Sequence, residues 1–333
     1  MHKYYNYLTL FSLLSFLLVC QAIANEALYL TVEKGNEANI DKNYDKIAYE
    51  YCGQLGWLNN NYCYLKYGVD VAAITINDWF KGVDEDNITP ASTKGRLRFG
   101  WEPRSTDFSE VDFRFKIRVK LPALEDRVEL LFSDEEDDVS QQAVKAARSS
   151  ELGSRDQAVL ALQFKNQTND RISYRIGFGR GSQLYTRARF ADQYKFTEQS
   201  TLRYFAETNY YSGDKLGFEA NAEYGFVIDS SSAFEVSNSF RFRNNSSAWL
   251  WRHELQFLRL GENDSSYLFS ASVEGTSKPS YREDQMLVSL RYKRKVLREW
   301  LFIEIEPFVL WLRDEDFKAS VGIAIRTEIH FST

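Results

Sequence analysis

The sequence predicts an all-β fold: a transmembrane antiparallel β-barrel of about 14 strands, with 12 as the alternative count, behind a short helical N-terminal region. Three observations predict it. First, Glu110–Leu121 reads EVDFRFKIRVKL, with Val111, Phe113, Phe115, Ile117, Val119 and Leu121 on one parity and charged residues on the other. A period of two marks an extended strand with unlike faces. Second, SYRIGFG, TLRYFAETNYY, LGFEANAEYGF and YLFSASVEG repeat that pattern through most of the chain. Third, no apolar run of 18 residues follows the first segment, so no transmembrane helix is encoded. A soluble sheet with one wet face explains any one such strand. A barrel with lipid outside and a polar interior explains the whole series.

Taken in order, MHKYYNYLTLFSLLSFLLVCQAIAN has Lys3, an apolar run from Leu8 to Val19 and the small-x-small site Ala22-Ile23-Ala24. Residues 1–24 therefore read as a signal peptide. A lipidated Cys20 is a second reading, opposed by the bulk of Val19 before it. Residues 25–94 read as a periplasmic or plug region. Val69, Ala73, Ile76 and Phe80 lie at helical spacing and predict a helix over Tyr67–Lys81. Cys52 and Cys63, an exported even pair at close spacing, predict a disulfide. Beyond the signal the chain has only His253 and His330 as histidines, too few for a zinc site, so no metal and no cofactor is expected. DEDNITPAST breaks the pattern before the barrel.

The barrel is expected over 95–333. Strands fall near 95–104, 109–121, 126–133, 156–165, 171–179, 184–196 and 201–211, and then near 215–228, 233–244, 248–260, 265–276, 284–295, 300–311 and 316–331. Most reach the nine or more residues that a tilted membrane strand needs, about 9–11. LPALED, NQTND, FTEQS, DSSS, GEND and LREW form one set of tight turns. The alternate set contains the long break 134–156 and TSKPSYRED, so short turns are expected at one end and longer loops at the other. The ending FKASVGIAIRTEIHFST alternates to Phe331, two residues from the C-terminus.

Composition narrows the function classes. A formal net charge of −6 opposes a nucleic-acid footprint. A mean hydropathy of −0.43 fits a barrel, because only half of each strand needs to be apolar. The acidic run Asp134–Asp138 lacks the glycine and ligand spacing of a calcium loop and reads as a solvated loop. His253 shares its parity with Trp251 and Leu255 on the lipid face, and His330 shows no Ser-His spacing, so no enzyme is expected.

GRLRFGWEPRSTDFSEVDFRFKIRVKLPALEDRVELLFSDEEDD, WLFIEIEPFVLW and the alternating C-terminal strand resemble a family of uncharacterised proteobacterial outer-membrane β-barrel proteins. The resemblance runs from roughly Leu65 to the C-terminus by pattern. It implies export to the outer membrane of a Gram-negative bacterium and brings no activity or catalytic residue. The C-terminal strand likewise resembles the insertion signature of bacterial barrels. The implied partners are outer-membrane lipids and the barrel-assembly machinery. The outer-membrane phospholipase is not resembled, since its His-x-Ser-Asn-Gly motif is absent.

Function is then read from the inward parity. Arg96, Arg98, Arg114, Arg118, Arg187, Arg189, Glu207, Glu219, Glu223, Glu304, Glu306 and Arg326 are expected to line the lumen. Two opposed walls are expected: a basic one from Arg96, Arg98, Arg114, Arg118 and Arg326, and an acidic one from Glu207, Glu219 and Glu223. The main reading is a channel for small polar or charged solutes. A closed structural or biogenesis barrel with paired interior charges is the alternative, and an outer-membrane hydrolase is a weaker third.

Overall fold

The computed structural model describes residues 57–79, 92–122, 128–133, 144–147, 159–165, 171–179, 183–244 and 246–332. The signal segment, Cys52, the linker before the barrel and the acidic run 134–138 lie outside them. One helix, α1 (Trp57–Trp79), precedes fourteen strands. These are β1 (Ser92–Trp101), β2 (Val111–Lys120), β3 (Val128–Ser133), β4 (Val159–Lys165), β5 (Ile172–Gly179), β6 (Gln183–Lys195) and β7 (Ser200–Tyr211). The second seven are β8 (Lys215–Asp229), β9 (Ser232–Arg243), β10 (Ala248–Leu260), β11 (Ser265–Thr276), β12 (Arg282–Lys295), β13 (Leu301–Leu312) and β14 (Ala319–Ser332). The count is fourteen, not twelve.

Each strand pairs antiparallel with its sequence neighbour, and β1 pairs with β14, so the sheet closes. Closure pairs the first strand with the last and so removes the two free edges an open sheet would carry into hydrocarbon. The seam runs from Lys94↔Ser332 to Trp101↔Ile325. Gly95 faces Phe331 across it, and the Phe331 ring occupies the space a Cβ at Gly95 would need. The C-terminal aromatic thus seals the seam by covering a glycine.

One parity of the strands is an apolar outer band. Phe99, Val111, Ile176, Phe240, Leu255, Ile305 and Ile325 are exposed although large and apolar. Aromatic residues flank it at both ends, with Tyr194 and Phe196 toward the chain termini and Trp101, Trp249 and Tyr281 at the opposite rim. A closed barrel with an outward apolar band and two aromatic belts is an outer-membrane barrel. Ile325 is 42 % exposed near the middle of β14. Ile325→Arg should destabilise insertion by about 2–4 kcal/mol, read as lost folded fraction in lipid vesicles. Normal insertion would overturn the facing.

The structure departs from the sequence reading in two places. α1 begins at Trp57, ten residues before the expected Tyr67. That first part, WLNNNYCYLK, is interrupted by the run Asn59-Asn60-Asn61, which masks the spacing of Leu58, Tyr62 and Leu65. The loops are sorted by end less sharply than expected. Segments 102–110 and 134–158 are long, but 180–182, 212–214 and 244–247 at the same end are as tight as 196–199 and 230–231 opposite.

The chain divides into two compact units, Met1–Ala72 and Ala73–Thr333, so the last turns of α1 belong with the barrel. In the first unit Lys66 pairs with Asp70 one helical turn on, 3.3 Å apart. Cys63, also there, is disulfide-bonded. Its pairing with Cys52 remains a proposal, because Cys52 lies outside the described residues.

Candidate functional site

The inward parity holds the charges, and register decides which of them meet. Arg326 on β14 is fully buried. Its Nε donates to Glu102 Oε1 at 2.6 Å, its Nη1 donates to Glu306, and it lies 3.7 Å from Glu304. Arg291 Nε donates to Glu306 Oε2 at 3.0 Å. Lys293 sits 3.2 Å from Glu304 and also contacts Glu328. Arg98 and Arg114 each lie 3.2 Å from Asp112, and Arg98 also lies 3.8 Å from Glu328. Five bases and five acids therefore form one neutral network across β1, β2, β12, β13 and β14. Burial of this kind is tolerated only because each charge has a partner.

Pairing also dissolves the expected acidic wall. Glu207 takes Arg187 at 3.3 Å and Arg189 at 2.6 Å, and Glu219 takes Arg241 at 2.8 Å. Glu223 meets Arg203, which also lies 2.6 Å from Glu235. Arg252 bridges Glu254 at 3.1 Å and Glu274 at 3.3 Å. All twelve residues expected to line the lumen fall on the inward parity. Arg98, Arg114, Arg326, Glu207 and Glu219, however, belong to mixed-charge networks rather than to walls of one sign. The reason is cross-strand register, which sets opposite charges on neighbouring strands directly beside each other.

A segment between β3 and β4 enters the barrel. Val144 and Ala147 are fully buried and Ala146 nearly so, packed on Leu287, Phe308, Leu310 and Ala324. Those four share the inward parity of Ser289, Glu306 and Arg326, so Val144–Ala147 lies against the inner wall. The Lys145 backbone N–H donates to Glu102 Oε2 at 2.5 Å, and Gln285 Nε2 donates to the Ala147 carbonyl at 2.5 Å. Lys145 Nζ donates to the Val111 carbonyl at 2.9 Å. Glu102 thus links the segment to Arg326. The Phe308 ring lies where a Cβ at Gly322 would fall, so glycine there lets Phe308 stay flat against the wall under the segment. Nearby in the β1–β2 loop, Asp107 is held below the ordinary carboxylate range, chiefly by the Ser109 backbone N–H it accepts at 2.9 Å.

The two halves of the interior differ. Around Val144–Ala147 the inward residues Asp112, Arg114, Gln285, Leu287, Glu306 and Arg326 are all buried. Toward the chain termini, Lys94, Arg118, Lys120 and Arg203 are exposed, and Arg96 and Lys116 are half-exposed. There β1 and β2 set Lys94 opposite Arg118 and Arg96 opposite Lys116. With Lys120 these are five bases, against Glu129 on β3 and Glu328 on β14. The terminal half is a water-accessible vestibule with a basic flank, and the other half is a packed constriction. The two histidines lie apart from it. His253 faces outward and shares a 2.6 Å hydrogen bond with Asn238, while His330 Nε2 lies 2.9 Å from Glu328.

The inward apolar patch was not anticipated from sequence. Its signal was present: in FIEIEPFVL, Phe308 and Leu310 continue the parity of Glu304 and Glu306.

No protein-family model matches the chain, and no curated protein matches it. Solved structures do match. One is a loop-deletion mutant of OmpT, an outer-membrane protein of Vibrio cholerae, at 9 % identity and TM-score 0.44, covering 72 % of this chain and 99 % of that one. Salmonella typhi OmpF in complex with daunomycin matches at 7 % identity and TM-score 0.44, covering 72 % and 97 %. Pseudomonas putida OprB matches at 10 % identity and TM-score 0.39, covering 72 % and 91 %. Likeness at this level transfers no function.

Proposed function

We propose that the protein is a passive outer-membrane channel for small polar or charged solutes, with a preference for anions. The observation that carries this is the vestibule: Lys94, Arg96, Lys116, Arg118 and Lys120 face one water-accessible cavity from two adjacent strands. Charges of one sign lining a confined aqueous path select by sign. Val144–Ala147 forms the narrow section beyond it. Export through residues 1–24 and hand-over of β14 to the barrel-assembly machinery complete the proposal. The acidic loop and the histidines take no catalytic part in it.

Arg118→Glu together with Lys120→Glu should move the reversal potential toward cations in a planar bilayer held under a salt gradient. Both side chains are exposed. An unchanged reversal potential in a conducting variant overturns the role of the basic flank. The second reading, a closed structural barrel, draws on the neutral network and the inserted segment. It predicts no conductance in the native chain or in variants that release the segment.

A further inference from the structure

We infer that the C-terminal part of α1 is an external element that lies on the lipid-facing side of the barrel wall and meets phospholipid of the leaflet nearest the chain termini. The outer parity of β1–β3 gives the first observation. Val111 is 45 % exposed and Phe113 37 %, as lipid-facing residues should be, yet farther along the same face Val119 falls to 5 % and Leu121 to 0 %. Val128 on β3 is 5 % exposed, and Thr93, the outward partner of Val119, is 0 %. Something covers the outer wall at this end.

The second observation identifies the cover. Ala73, 1 % exposed, clusters with Val119, Leu121 and Val128, and Ile76 packs there with Ile117, Leu130 and Leu162. Register sets Val119, Leu130 and Leu162 side by side on three strands, with Ile117 two residues along β2 from Val119, all on the outward parity. A helix face that touches them lies outside the barrel, so Ala73–Ile76 does not plug the lumen. Alanine at the contact lets the helix backbone approach the sheet closely.

The exposed side of the same turn supplies the ligand chemistry. Ile74 is 39 % exposed and points away from the buried contact, beside a wall whose neighbouring residues Leu160 and Phe164 are 47 % and 39 % exposed. A helix laid on a lipid-facing wall near its rim, with the exposed Ile74 side chain beside that wall, extends the hydrocarbon contact of the barrel into the interface. The partner is the upper acyl region of a phospholipid.

The test uses the full chain with its disulfide oxidised, reconstituted in phosphatidylcholine vesicles. A bimane probe is placed on a cysteine at Ile74, with references at Ile325 on the lipid wall and Arg203 in the vestibule. Bromines high on the acyl chains should quench the Ile74 probe, deeper bromines should quench Ile325, and aqueous iodide alone should quench Arg203. Ala73→Glu should reduce lipid quenching at Ile74 several-fold while the heat-modifiable gel mobility of the barrel persists. Iodide quenching at Ile74 equal to that at Arg203, or lipid quenching unaffected by Ala73→Glu, overturns the assignment. Neither readout needs the channel to conduct, so the outcome is separate from that of the channel proposal.

Discussion

Val144→Asp is expected to raise single-channel conductance, the largest functional change among the substitutions considered. Val144 is fully buried on Leu287, Phe308, Leu310 and Ala324. Removing that side chain from water contributes about 1.5–3 kcal/mol to holding the segment down. The two backbone hydrogen bonds, to Glu102 and from Gln285, add about 0.5–1.5 kcal/mol each. A carboxylate at this position meets the apolar side chains of Leu287, Phe308, Leu310 and Ala324, and the charge of Glu102 stands nearby. Burying an unpaired charge costs more than the whole attachment supplies, so the segment should leave the wall rather than carry the charge inward. The readout is conductance in planar bilayers, with Val144→Ala as a weaker companion. Unchanged conductance in Val144→Asp, and again when Glu102→Ala is added, would show that the segment does not limit passage.

The barrel itself was legible in the sequence because lipid makes parity loud. In β2 every second residue must be apolar outward and polar inward, so EVDFRFKIRVKL announces its faces without any knowledge of its neighbours. What parity cannot give is adjacency. It places Arg326 and Glu306 on the inward face but not beside each other, and it says nothing of Glu102, which lies just past the end of β1 and joins the same network. The expected acidic wall, and the part of the basic wall formed by Arg98, Arg114 and Arg326, failed at that step. The inserted segment was hidden for a related reason. QQAVKAARSS holds only four small apolar residues amid polar ones, and its apolar partners come from three distant strands. The first part of α1 was missed because Asn59, Asn60 and Asn61 are poor helix formers, and they outweigh the helical spacing of Leu58, Tyr62 and Leu65.

Arg326→Ala is expected to cost the most stability. Arg326 is fully buried and serves Glu102 and Glu306, with Glu304 a little farther off. Its removal leaves three carboxylates on β1's end and β13 sharing a low-dielectric space, with Arg291 and Lys293 remaining close by. Breaking a buried ion pair by deleting one partner typically costs about 3–5 kcal/mol, because the surviving charge stays buried and uncompensated. The figure to check is the urea midpoint for loss of the folded gel band in detergent micelles. The comparison that isolates the charge effect is Arg326→Met combined with Glu306→Gln and Glu102→Gln, which removes both signs together and should recover most of the midpoint. If Arg326→Ala unfolds at the native midpoint, the network is solvated and its charges contribute little. If the triple variant is as unstable as the single one, packing of the long arginine side chain, and not its charge, holds β14 against β13 and the β1 end. The same triple variant probes the seam, because Arg326 stands opposite Gly100 in the β1–β14 register. A seam held by backbone pairing and by Phe331 over Gly95 should stay closed when these three charges are removed, with the barrel keeping its heat-modifiable mobility.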